Sequence, residues 1–420
     1  MNAVISLKKI NYYLNHIWIF FVALFGISLM TSKSGITLTS TILIIWAFVS
    51  RSQRAVWMQD KKVLFLISLF PLAIFLNLFS LNGWESSLKV ITSWPWPLIA
   101  APTLVIFGQP QARKTFIYAL GLGLLISCLY SIYLLAQHFI YQVDIPFMTS
   151  NFRIRSFWDS SRWGFFTGFF VLVLSLLYYE KLEHKFKSYL LPSLVLFSIV
   201  FLLSNTRGPL LSLFLILTLV SLTKARAMMR KQVALAIFIV FLGFVANKTA
   251  FERLTSIFAV QIDGAQITSK DPSNAGRLHM WKVAIDFFQE QPWFGSGFES
   301  TTEPLKKFIE NKSSAYTDTF TKVEFSYNDQ HSSYLSSLIQ MGLIFFVICW
   351  GGILIIFTSG FKNYLKSKEN AQLYYLAGLA YCFIILIFYS SFNSYESILL
   401  FILLTLISKE KSAKVVSTNI

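Results

Sequence analysis

Apolar runs of about 15 to 22 residues, parted by polar breaks, follow one another from one end of the chain to the other. Each approaches the roughly 20 residues that a helix needs to cross a bilayer. Twelve such runs can be delimited, near 17–31, 36–50, 63–80, 88–107, 115–136, 164–179, 188–204, 209–223, 232–247, 334–357, 371–389 and 392–407. None shows the period-two alternation of a membrane-spanning strand. The pattern predicts an all-α polytopic membrane protein with about 12 transmembrane helices. Most breaks are short, so consecutive spans should be antiparallel neighbours. One break is long: between Lys248 and Ser333 lie about 86 water-compatible residues. The predicted division is a bundle of nine spans (1–247), a large loop (248–333), and three further spans with a tail (334–420).

Composition agrees with this reading, since only 13% of the 420 residues are charged, against roughly 25% in globular proteins. A formal net charge of +16 could suggest nucleic acid, but its placement points elsewhere. With the N-terminus inside, 21 Lys and Arg fall on inward segments and 15 on outward ones, nine of the latter in the long loop. Long loops translocate regardless of charge, so the short loops carry the topology signal. They divide 21 to 6, which predicts both termini inside and the long loop outside. Attraction to anionic membrane lipid is a secondary consequence, and no nucleic-acid partner is expected. Cys128, Cys349 and Cys382 all fall within apolar runs, where they read as packing residues rather than as a disulfide or metal framework. The first span follows Lys8 and Lys9 without a small-residue cleavage pattern, so it reads as a retained anchor.

Two predicted outward loops stand apart from the hairpins. Residues 137–163 hold Arg153, Arg155, Asp159 and Arg162 among Phe152, Phe157, Trp158 and Trp163, and aromatics at such ends are commonly interface-belt residues. In the long loop, Ser273-Asn274 offers a helix cap before Leu278, Trp281, Ala284, Ile285 and Phe288, whose spacing gives one apolar face. Pro292 ends that helix and Gly295-Ser296-Gly297 forms a turn. An amphipathic helix beginning near Arg277 is expected, the end at which an anion is best held.

The chemistry-bearing side chains are few. Arg207 sits in Ser204-Asn205-Thr206-Arg207-Gly208-Pro209 between two apolar runs. Pro209 suits a helix's first turn and Asn205 or Thr206 its cap, so an anion there would meet helix N–H groups and a guanidinium together. Snorkelling to lipid headgroups is the plain alternative. Arg277 alone could be any exposed helix arginine. His331, at the re-entry into an apolar run, is either a hydrogen-bonded interface residue or a general base near neutral pH. Asp329 and Glu324 are close enough in sequence to orient its ring, and Arg153, Arg155 and Arg162 could add positive charge to the same face. Signatures that are missing also count. There is no Asp-x-Asp, and Thr31-Ser32-Lys33-Ser34-Gly35 has no carboxylate, although metal-dependent sugar transfer needs such oxygen ligands. GxxxxGK[ST], HExxH and GxSxG are absent as well. A phosphate leaving group would therefore be served by arginine.

Taken together, Asn205-Thr206-Arg207-Gly208-Pro209, Gly276-Arg277-x-x-x-Trp281-x-x-Ala284, Pro292-Trp293-Phe294-Gly295-Ser296-Gly297-Phe298, and His331-Ser332-Ser333-Tyr334-Leu335 running into Gln340-Met341-Gly342-Leu343 resemble the O-antigen ligase family. That family shares its core region with O-antigen polymerases and bacterial O-linked oligosaccharyltransferases. The motifs cover about residues 200–345. The resemblance implies a GT-C-like fold in a Gram-negative inner membrane. It implies transfer of a polysaccharide from undecaprenyl diphosphate to a sugar hydroxyl of lipid A-core at the periplasmic face. Arg207 and Arg277 would bind the diphosphate, His331 would activate the acceptor, the anomeric centre would invert, and no metal or cofactor would be required. A polymerase or a protein glycosyltransferase of the same superfamily are the alternatives. Arg153 with Gly164 matches an Arg-x10-Gly pattern associated with polymerases, but a second copy starting at Arg277 would need glycine where Phe288 stands. A transporter is disfavoured because the spans split nine to three and carry almost no charge at mid-membrane.

Overall fold

The computed structural model describes residues 2–142, 153–178, 184–223, 261–263, 266–268, 272–312 and 330–408. In chain order the helices are α1 (Asn2–Thr31), α2 (Lys33–Val49), α3 (Arg51–Trp57), α4 (Lys61–Asn77), α5 (Gly83–Ser93), a 3-10 turn (Trp96–Ile99), α6 (Ala100–Gly108), α7 (Pro110–Tyr141), α8 (Ser160–Tyr178), α9 (His184–Leu203) and α10 (Arg207–Thr223). There follow α11 (Pro272–Glu290), α12 (Thr302–Asn311), α13 (Ser333–Ser367), α14 (Asn370–Phe388) and α15 (Ser397–Ser408). The helical architecture has one small exception, an antiparallel hairpin in which Gln261–Asp263 pairs with Gln266–Thr268.

Five described stretches are long and apolar enough to cross a membrane: Gly83–Gly108, Pro110–Tyr141, Ser160–Tyr178, Ser333–Ser367 and Asn370–Phe388. A sixth span results if α2 and α3, bent by 92°, count as one. Shorter apolar helices occur at His16–Thr31, Ser188–Leu203, Arg207–Ser221 and Ser397–Ile407. This is a membrane protein with several apolar helices. The predicted run 232–247 lies outside the described residues. Three predicted spans take a different form. The run 36–50 stops at Val49, where the chain turns into α3. The run 88–107 is interrupted after Ser93, because Pro95 and Pro97 cannot continue an α-helix from Trp94. The run 334–357 extends to Ser367 and is kinked at Gly342.

The chain forms two compact units. The first comprises residues 1–67, 98–206 and 401–420. In it α1 packs along α7 and against α2, and α8 pairs with α9. Small residues set the α1–α7 approach: a Cβ at Gly123 would lie 2.6 Å from the Ile27 carbonyl oxygen. The Met30 carbonyl, left over at the end of α1, accepts from Ser127 Oγ at 2.7 Å and from Trp158 Nε1 at 3.0 Å.

Residues 68–97 and 207–400 make the second unit, in which α10 packs on α14, and α13 on both α14 and α11. Val283, Ala284 and Phe287 of α11 form a buried cluster with Leu305, Phe308 and Ile309 of α12 and Ile339 of α13. The apolar face of α11 therefore differs from the predicted one. Met280, Val283, Ala284 and Phe287 are buried whereas Ile285 is 47% exposed. Spacings of three and four fit both stripes, and packing against α12 and α13 selects this one. The three cysteines are buried free thiols, as a packing role requires.

Candidate active site

The strongest local feature of the second unit is a break in α13. Gly342 has φ 77° and ψ 174°, a backbone region that side-chain-bearing residues rarely enter. A break within an apolar span frees main-chain groups that lipid cannot satisfy. Here the 292–297 segment satisfies them. Leu343 N–H donates to the Pro292 carbonyl at 2.8 Å, while Ser296 and Gly297 N–H donate to the Ile339 and Gln340 carbonyls at 2.8 and 2.9 Å. A Cβ on Gly342 would collide with the Trp293 carbonyl. Two sequence motifs, Pro292–Phe298 and Gln340–Leu343, are thus two halves of one main-chain clasp. A third strand of contacts comes from the α4–α5 junction. Asn77 Oδ1 accepts from Phe298 N–H at 2.8 Å, and Asn82 Nδ2 donates to the Ser296 and Ser300 carbonyls at 3.1 and 3.0 Å.

The same unit holds Arg207, Arg277 and His331. His331 is half-buried and adopts φ 47°, the left-handed region in which histidine is tolerated better than most residues. Both flanks of this residue are fixed. Before it, the Gln330 carbonyl accepts from Trp281 Nε1 at 2.9 Å, and Gln330 Oε1 accepts from Ser336 Oγ at 2.9 Å. After it, Ser333 donates to the Tyr389 carbonyl through its N–H at 3.0 Å and its hydroxyl at 2.6 Å, and the same hydroxyl accepts from Phe392 N–H at 3.0 Å. The His331-Ser332-Ser333 motif thus consists of one half-buried imidazole and a buried staple that sets its direction.

Trp281 lies on α11 one turn beyond Arg277, so its bond to Gln330 ties the arginine's helix to the histidine's turn. Arg277 is half-buried, and among the described residues it makes no salt bridge. The helix starts at Pro272, earlier than predicted, which places Arg277 in its second turn rather than at its start. Any anion held there would meet the guanidinium rather than the helix's free N–H groups. Arg207 opens α10 as its first residue, with Pro209 in the first turn as predicted. The neighbouring Gly208 fits against Tyr389, since a Cβ would stand 2.7 Å from Cε2 of that ring. Tyr389 is also the residue whose carbonyl holds Ser333. The start of α10, the middle of α11 and the His331 turn are in this way joined through Trp281 and Tyr389.

The supporting arginines are differently placed. In the first unit, residues 153–158 run along the end of α9, with Ile154 N–H on the Leu203 carbonyl at 3.0 Å and Arg153 Nη2 on the Asn205 carbonyl at 3.5 Å. Arg162 pairs with Asp159 at 3.1 Å, and Arg155 is half-buried. Gly164, the second member of the Arg-x10-Gly pattern, has a packing reason of its own: a Cβ there would collide with the Thr206 hydroxyl. Asp329 and Glu324 lie outside the described residues.

Several polar residues of the site received no role from the sequence motifs, although Gln340 lies within one of them. Gln340 is buried, and its Oε1 accepts from Asn393 Nδ2 at 2.9 Å and Glu299 N–H at 3.4 Å. Glu396, also buried, takes a short hydrogen bond from Ser394. All sit in or against the 389–397 turn, a break of a few residues that hydropathy marks only as the gap between two spans. Burial holds the Glu299 carboxyl above the usual range, opposed by a hydrogen bond from Ser93 and the charge of Lys89. Among the described residues no three His, Cys, Asp or Glu side chains are grouped to hold a metal ion.

The second unit thus carries a half-buried histidine in a turn held by hydrogen bonds and two helix-borne arginines, on helices joined to that turn through Trp281 and Tyr389. Residues 192–349 match the model of the family described as O-antigen ligase. The members of this family are glycosyltransferase-like enzymes. The chain is also similar to an uncharacterized protein of Haemophilus influenzae, 23% identical over 363 residues, which cover 84% of this chain and 86% of the relative.

Proposed function

We propose that this protein is an O-antigen ligase of a Gram-negative inner membrane. In this reading it transfers O-antigen polysaccharide from undecaprenyl diphosphate to a sugar hydroxyl of lipid A-core. The observation that carries it is the fixed His331 turn, tied to the Arg277 helix through Trp281 and to the Arg207 helix through Tyr389. His331 takes the proton of the acceptor hydroxyl as that oxygen attacks the anomeric carbon. The bond from that carbon to the diphosphate oxygen breaks on the opposite side, and the configuration inverts. Arg207 and Arg277 neutralise the charge that collects on the departing diphosphate. Arg153, Arg155 and Arg162 are candidates to add positive charge for the diphosphate, and Asp329 and Glu324 are candidates to orient His331. The proposed topology has about 12 spans, both termini in the cytoplasm and the 248–333 segment in the periplasm, following the 21-to-6 distribution of short-loop charge. The division into 1–247, 248–333 and 334–420 belongs to that topology.

The test is a lipopolysaccharide gel from a strain lacking the protein. A ligase defect leaves bare lipid A-core while lipid-linked polymer accumulates. Core carrying a single repeat unit would instead identify a polymerase, and an unaltered gel together with lost protein glycosylation an oligosaccharyltransferase. For the active residues, the chain with His331→Ala should insert normally and transfer nothing; full activity would remove the general-base role.

A further inference from the structure

The far end of α11 carries a second feature that the reactive centre does not use. Between α11 and α12, closed on one side by the α4–α5 junction at Leu81 and Asn82, lies an open pocket of about 350 Å³. Its floor is apolar: Phe287 and Phe308 meet edge to face at 5.5 Å and both are almost wholly buried. Its rim is polar, formed by Glu290, Gln291, Glu303 and Asn311. The volume is at the lower end of small-molecule sites, which are generally roughly 300–1,000 Å³. An aromatic floor under a ring of amides and carboxylates suits a ligand with one apolar face and many hydroxyl groups, because the carboxylates accept and the amides both accept and donate hydrogen bonds in several directions. A pyranose ring has that character. Lys307 also lines the rim, and Lys312, paired with Glu290 at 3.0 Å, stands over the Phe308 ring at 4.4 Å, so two carboxylates are balanced by two cations and a neutral sugar fits best.

Position supplies the second argument. Arg277 and Glu290 are thirteen residues apart on one helix, or about 20 Å along its axis. A glycan several rings long, with its reacting end beside Arg277 and His331, could lay a later ring in this pocket. We propose that the α11–α12 pocket binds a pyranose unit of the glycan strand at a distance from the reacting bond. This inference rests on the proposed transferase function for its substrate, although its test does not require transfer. The ring could belong to the donor polysaccharide or to the acceptor core.

The experiment measures binding of two lipid-free probes to the full-length protein in detergent: the core oligosaccharide, and a single-repeat fragment of the O-polysaccharide. Wild type and Gly351→Ala, whose added Cβ meets nothing within 4 Å, should bind equally. The Glu303→Ala/Asn311→Ala double variant should bind at least one probe about tenfold more weakly, as expected for the loss of two ligand hydrogen bonds. The probe affected identifies the source of the ring. If the double variant does not keep the wild-type melting temperature, Glu303→Gln, which preserves size, is read instead, with a loss of about threefold. Wild-type affinity for both probes in a folded variant overturns the proposal, as does the absence of binding to either probe by wild type. Should the strain gel show no lipopolysaccharide defect while the variant still loses sugar binding, the function reading fails and the pocket stands.

Discussion

The clasp around Gly342 and the arc around His331 are neighbours in the second unit, yet they are built from different materials. The clasp is main chain against main chain: carbonyls of Pro292, Ile339 and Gln340 meet N–H groups of Leu343, Ser296 and Gly297. Side chains matter there chiefly where one would obstruct, as at Gly342. In the arc, two carbonyls, those of Gln330 and Tyr389, are gripped by side chains of Trp281 and Ser333, and the residues between and beside them are charged or titratable. A scaffold of the first kind depends on shape and fixes position. One of the second kind leaves a few polar groups half-buried and aimed. Changes in the clasp should therefore cost stability, whereas changes in the arc should cost rate, and experiments can break that contrast.

The largest effects belong to the arc. His331→Ala, Arg277→Ala and Arg207→Ala should each lower transfer by about 100-fold or more, with melting temperature and membrane insertion unchanged. A parallel loss of stability in these variants would make them structural and erase the distinction. Next comes Gly342→Ala, which places a Cβ against the Trp293 carbonyl at positive φ. It should destabilise the protein by about 2–4 kcal/mol, read as a lower melting temperature and poorer yield. Gly351→Ala on the same helix is the control, because a Cβ there meets nothing within 4 Å; that variant should melt at or slightly above the wild-type temperature.

Trp281→Phe tests the link between arginine and histidine. It keeps an aromatic ring and removes the donor to the Gln330 carbonyl, so kcat should fall about tenfold with KM little changed. An altered KM alone would mean that the tryptophan serves binding rather than the positioning of His331. The smallest effect concerns Glu299. Its carboxyl is held above the usual range by burial, so the folded state keeps its proton more readily than the unfolded chain. That contribution to stability is complete below about pH 4.5 and is lost as pH rises through the folded-state value. Glu299→Gln should match wild type in melting temperature near pH 4 and exceed it by about 1–2 °C at neutral pH. An equal difference at both pH values would assign the effect to packing.

Much of the helical plan was readable from hydropathy, because a lipid environment leaves a span little choice but to satisfy its backbone internally. Where the plan differed, local chemistry or packing intervened: Pro95 and Pro97 interrupted the 88–107 run, and α12 with α13 rotated the buried face of α11 away from Ile285. Arg207 and His331 could be picked out as polar residues flanking apolar runs, and Arg277 by the Gly276-Arg277-x-x-x-Trp281 motif within the long loop. Asn393 and Glu396 could not, since a buried amide or acid next to an apolar run looks in sequence like any span boundary, and Gln340 stood in a motif without a role assigned to it.

By itself, then, the sequence determined that the chain enters a membrane, that its described apolar runs form helices, and that Arg207 and His331 stand where such runs begin. Those properties follow from transfer of individual residues between water and lipid, which is a local quantity. Only the tertiary structure decided that the Pro292–Phe298 and Gln340–Leu343 motifs close one clasp, that Trp281 and Tyr389 join three helices at His331, and that α11 ends in a pocket. Each of these depends on a hydrogen bond or contact between residues dozens to hundreds of positions apart, and the hydropathy of neither partner reveals the other.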